Sequence, residues 1–114
     1  MNTYDFNKAF SYWFDTCKEL YESDSRKKLG YSLRWEEGRR YRKVISCTGN
    51  QHSVWAFVDK TNADILKPAH WKRPAKGYRG NLYDPDSGLR YITWTGPMYM
   101  ETIKDMDKKD KDEQ

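Results

Sequence analysis

Apolar side chains recur at Phe6, Ala9, Phe10, Trp13, Phe14, Cys17, Leu20 and Tyr21, the three-and-four spacing that lines one face of an amphipathic helix. Asp5, Asn7, Lys8, Ser11, Lys18 and Glu22 fall mainly on the other face, and Ser23-Asp24-Ser25 followed by Gly30 closes the pattern. A helix over 3–22 is predicted. Alone it would be marginal in water, so its aromatic stripe is read as core seeking a packing partner and not as a ligand box.

From Gly30 the period changes to two. Tyr31, Leu33 and Trp35 alternate with Ser32 and Arg34, residues 36–39 form a turn, and 41–46 resume as a second strand of a hairpin. Residues 47–52 read as loop. The run 53–58, apolar on both faces, reads as a central strand, followed by a short strand 65–67 that Pro68 ends. Residues 68–81 contain two prolines and two glycines without periodicity, which predicts an ordered loop. A turn at 84–88 leads to a last strand at 89–95. Residues 101–114 alternate Lys and Asp with almost nothing apolar, as a charged, disordered C-terminal tail would. The pattern therefore predicts an α+β fold, with the N-terminal amphipathic helix packed on an antiparallel sheet of four to five strands, a basic loop at 68–81, a single domain over 1–100 and the flexible tail beyond it.

Composition changes this picture in one respect. A chain with 33% charged residues would suit disorder, but five Trp, nine Tyr and four Phe supply an aromatic core instead. No run approaches the ~18 apolar residues of a spanning helix, so no membrane association is expected. Cys17 and Cys47 stand thirty residues apart and are read as reduced thiols in a cytoplasm, Cys17 within the core.

The net charge of +4 is unevenly spread: residues 1–25 carry −3, residues 26–100 carry +9 and residues 101–114 carry −2. A basic body of this kind favours anionic partners. Between Ile65 and Tyr83 no acidic residue interrupts Lys67, Lys72, Arg73, Lys76 and Arg79, which interleave with His70, Trp71 and Tyr78. Cations that neutralise phosphates beside rings that stack on bases suit single-stranded or looped nucleic acid. In the bland alternative, Trp71 and Tyr78 turn inward to cover the sheet and the charged heads merely solvate the loop. Two further basic clusters, Arg39-Arg40-Arg42-Lys43 and Arg26-Lys27-Lys28, would extend the surface if they fell on the same face.

Other chemistry has weaker support. Cys17, Cys47, His52 and His70 lack metal-ligand spacing, so neither a metal nor another cofactor is expected. Cys47 with His52 or His70 makes only a generic nucleophile-base pair, no phosphate-binding or nucleophile-elbow motif occurs, and no enzymatic activity is expected.

The run Val54 to Asn81 carries Phe57-Val58-Asp59-Lys60, Asp64-Ile65-Leu66-Lys67-Pro68-Ala69, Trp71-Lys72, Pro74-Ala75-Lys76 and Arg79-Gly80-Asn81. In these positions it resembles small proteins encoded by tailed bacteriophages, over about a quarter of the chain. The resemblance implies a phage origin and a place in the host cytoplasm, and brings no site residue with it.

The expected function is a non-enzymatic nucleic-acid-binding protein. Arg40, Arg42, Lys67, Lys72, Arg73, Lys76 and Arg79 are the candidate phosphate contacts, and Trp71 and Tyr78 the stacking rings. The rival is an inhibitor or adaptor that binds a host enzyme or defence factor through exposed aromatics. A minor virion component is a third reading.

Overall fold

The computed structural model describes residues 3–112. Two helices come first, α1 (Thr3–Tyr21) and α2 (Asp24–Lys28). Five strands follow: β1 (Tyr31–Glu37), β2 (Tyr41–Thr48), β3 (Gln51–Asp59), β4 (Asp64–His70) and β5 (Arg73–Asn81). They form one antiparallel sheet in sequence order, β1-β2-β3-β4-β5. The chain is α+β, with α1 packed on one face of that sheet. A small two-stranded ribbon, β6 (Ile92–Thr93) with β7 (Gly96–Pro97), and helix α3 (Met100–Asp112) complete it.

The predicted stripe builds the core. Phe6, Phe10, Trp13, Phe14, Cys17 and Tyr21 of α1 pack against Leu33, Val44, Trp55, Ala56, Val58 and Ile65 of the sheet. Phe10 stacks on Phe14 at 5.8 Å and meets Trp35 edge-on at 5.2 Å, while Trp13 lies 6.3 Å from Trp55. Adjacent strand residues normally face opposite ways. Trp55 and Ala56 both reach this core because the β2–β3 register slips at Val44/Ile45, leaving Trp55 without a partner across the ladder.

Residues 47–52, expected as loop, are the end of β2, a turn at Gly49-Asn50 and the start of β3. Three further expectations need correction. Residues 68–81 are not a loop: they are the end of β4 and all of β5, a hairpin turning at Trp71-Lys72. Pro68 faces Pro74 in the register, and slips at three places leave residues 75–77 bulged from the ladder, so the missing proline donors are accommodated. The fifth strand of the sheet is therefore β5 and not the expected 89–95, of which only Ile92–Thr93 is extended, in the separate ribbon. Thirdly, the expected tail is helical as far as Asp112, with Ile103 buried and Asp107 bonded to the Tyr91 hydroxyl at 2.8 Å. Glu113 and Gln114 lie outside the described residues.

β4 pairs with β3 only at Leu66 and Ile65, so beyond Leu66 the β4–β5 hairpin is a two-stranded arm. The segment after β6 packs against β3 and β4 at the base of this arm. The Trp94 carbonyl accepts from Trp55 Nε1 at 3.1 Å, and a side chain at Gly96 would bring its Cβ to 2.8 Å from the Trp55 carbonyl oxygen.

Candidate nucleic-acid interface

Strand alternation sorts the basic residues onto two faces. On β2, Arg42 and Val44 point to α1, so Tyr41 and Lys43 point to the face that α1 leaves uncovered. Lys43 pairs with Phe57, Phe57 with Leu66, and Leu66 with Tyr78, which carries one row across four strands on that face. The arm bends over it at its tip: Lys43 Nζ stands 4.5 Å from the centre of the Trp71 ring and 6.0 Å from that of Phe57. His70 shapes the tip, its Nδ1 accepting the Lys72 amide at 3.2 Å.

Two adjoining hollows result. One of about 380 Å³ is lined by Arg39, Arg40, Tyr41, Lys43, Phe57 and Lys72 together with Glu36 and Glu37. The other, about 410 Å³, is lined by Arg40, Tyr41, Lys72, Arg73, Lys76 and Tyr78 among others. Trp71 is 43% and Tyr78 61% exposed, so neither ring turns inward.

The acids near these hollows already have partners. Asp59 is paired with Arg40 at 3.2 Å and accepts from Thr61, Asp64 accepts from Asn81, Glu36 pairs with Arg34, and Glu37 with Arg42 and Lys60. The Glu36 carboxyl is held below its ordinary value by its hydrogen bond to Arg34, against a smaller desolvation. Among the described residues Lys72, Arg73 and Lys76 make no ion pair with an acid, so their charge faces solvent uncompensated.

Of the nine expected contact residues, Arg40, Trp71, Lys72, Arg73, Lys76 and Tyr78 share this face. Arg42, Lys67 and Arg79 do not. Arg42 is buried under Phe6, Phe10 and Trp35, 4.5–4.9 Å from their centres, and bonds Glu37 at 2.8 Å and Asn7. Lys67 donates to the Pro97 carbonyl at 2.9 Å and lies over Tyr99. Arg79, 5% exposed, donates to the carbonyls of Lys76, Gly77 and Met98 at 3.0, 2.6 and 3.2 Å. Burial lowers the pKa of both groups, with the neighbouring Arg79 charge adding to the effect on Lys67. Arg79 thereby pins the bulge that presents Lys76, a positioning role in place of the expected phosphate contact.

The cluster Arg26-Lys27-Lys28 stays apart. Arg26 caps the end of α1 through the Leu20 and Tyr21 carbonyls, both at 2.7 Å, and covers Trp94. Lys27 lines a hollow with Asp15, Glu19 and Asp24. Conversely, Tyr41 joins the site without having been singled out, and Lys43 joins it from the basic cluster at 39–43, from which Arg42 is separated; the period-two offset of Tyr41 and Lys43 from Arg42 is the signal that assigns them to it.

The remaining candidates separate as well. Cys17 lies in the core, where burial pushes its thiol pKa up, while Cys47 is 3.5 Å from His52 Nδ1 on the cross-strand pair. Among the described residues no three His, Cys, Asp or Glu side chains gather as metal ligands, and no helix is long and apolar enough to cross a membrane.

Fold and site together define a small α+β protein with one helix-covered sheet face and one basic, aromatic sheet face. The chain belongs to a Family of unknown function (DUF7717), whose family model matches residues 5–100 and so runs from α1 to the first residue of α3. No curated protein and no solved structure matches it.

Proposed function

We propose that this chain is a non-enzymatic nucleic-acid-binding protein that holds a single-stranded or looped segment across the uncovered sheet face. The observation that carries the reading is the convergence of Lys72, Arg73 and Lys76, none paired with an acid among the described residues, with the exposed rings of Trp71 and Tyr78. Arg40, Lys72, Arg73 and Lys76 would contact phosphates, and Trp71 and Tyr78 would stack on bases. The phage resemblance of residues 54–81 supports placing this activity in an infected host's cytoplasm.

Fluorescence anisotropy with a labelled single-stranded oligonucleotide tests it. Four phosphate contacts on a single strand give a log–log salt slope near −2.8, roughly a 50-fold loss of affinity between 50 and 200 mM salt. Arg73→Ala/Lys76→Ala should halve the slope. No binding at low salt, or a host protein that co-purifies in high salt and after nuclease treatment, would favour the adaptor reading and overturn this one.

A further inference from the structure

Beside Tyr78 a cleft of about 600 Å³ opens between β5, the turns at 84–91 and α3. Tyr78 lines both this cleft and the basic hollow, so it stands on the ridge between them. That volume falls within the ordinary range for small-molecule sites.

The walls carry both donors and acceptors. Arg79 lines the cleft while almost wholly buried; among the described residues no carboxylate pairs with it, its Nε and Nη1 are used by backbone carbonyls, and Nη2 meets no acceptor. Opposite in chemistry is Asp107 of α3. One of its oxygens accepts from the Tyr91 hydroxyl at 2.8 Å and faces Arg90 at 3.5 Å, and the other takes no bond among the described residues. Tyr78, Tyr91 and Ile103 add flat and apolar surface.

A simple anion fits poorly, because Asp84, Asp86 and Asp107 line the same cleft. A neutral flat ring with adjacent donors on one edge and acceptors on another fits better. Guanine has this arrangement: its N1 and N2 protons suit a carboxylate, and its O6 suits the remaining Nη2 of Arg79. We infer that the cleft is a nucleobase pocket that takes a guanine turned off the strand past Tyr78. This rests on the nucleic-acid reading of the neighbouring face and assigns that face a base preference. Asp107 and Arg79 are its polar contacts.

Titration of ¹⁵N-labelled full-length protein with guanosine, and in parallel with uridine, separates the two ideas. Guanosine should shift the amides of residues 78–80, 90–91 and 107, and uridine should bind at least about tenfold more weakly. Asp107→Asn keeps an acceptor for Tyr91 while replacing the carboxylate, and should weaken guanosine about tenfold with the fold's spectrum otherwise intact. Absence of guanosine shifts at these residues, or equal response to uridine, would overturn the pocket even if oligonucleotides bind the basic face. Failure of oligonucleotides to bind at low salt would overturn the face itself.

Discussion

Lys43 Nζ lies 4.5 Å from the centre of the Trp71 ring, joining β2 to the tip of an arm that pairs with its neighbour strand only at its base. The contact holds the ring over the uncovered face and leaves 43% of Trp71 accessible. An exposed ring held this way loses little further freedom when a base stacks on it. Trp71→Ala should therefore cost about 1–3 kcal/mol of oligonucleotide affinity. Thermal unfolding should move by less than about 0.5 kcal/mol, as for other surface changes. Anisotropy and calorimetry on the same preparation check both halves, and equal binding by the variant would remove Trp71 from the site.

Arg42 makes the opposite prediction although it lies next to Lys43 in the chain. Its guanidinium is sandwiched among Phe6, Phe10 and Trp35, while its partner Glu37 remains half-exposed and can return to water. Removing Arg42 thus strips packing from three rings without stranding a buried carboxylate. Arg42→Ala should destabilise by about 2 kcal/mol, with Glu37→Gln costing under about 1 kcal/mol. Oligonucleotide affinity per folded molecule should stay at the native level, measured below the unfolding transition.

These two neighbours show what was legible in the chain. Strand alternation separates Arg42 from Lys43, but a count of basic residues along 39–43 treats them alike. The stripe from Phe6 to Tyr21 could be read directly because one helix face supplies most of its side of the core. β5 was hidden because Pro74, Gly77 and Gly80 erase the period of two; its strand identity comes from pairing with β4 around a bulge held by Arg79, a relation between distant residues. α3 was hidden for a different reason: among the described side chains of α3 only Ile103 is buried, too narrow a stripe to stand out from a solvated tail.

That narrow attachment makes α3 separable from the body. Ile103 is its buried anchor, supported by the Asp107 bond to Tyr91. Ile103→Ala should release the helix locally, lowering helical circular dichroism and exposing α3 amides to exchange. The core of α1 and the five strands should keep its unfolding midpoint to within about 1 kcal/mol. Hydrogen exchange resolved by segment checks this; a fall in protection throughout β1–β3 would show that α3 is part of the cooperative unit.

Glu22 links α1 to the edge of the sheet and gives the fold an acid-sensitive contact. Its buried carboxylate accepts from Lys18 and from the Leu33 amide of edge strand β1 at 2.9 Å, occupying an edge donor that could otherwise pair with another chain. Burial raises the carboxyl pKa, but the Lys18 and Leu33 bonds outweigh it and hold the group below its ordinary value of 4.5. Folding therefore favours the ionised form. The resulting stabilisation is complete above about pH 4.5 and disappears as pH falls through the lower folded-state value. Glu22→Gln should destabilise the protein by about 1–2 kcal/mol at neutral pH, and the gap between variant and native protein should close on acidification. Denaturant unfolding from pH 7 to pH 3 measures that gap; a constant difference would show that Glu22 acts through packing alone, and a rising tendency to self-associate in the variant would show that the capped edge had been opened.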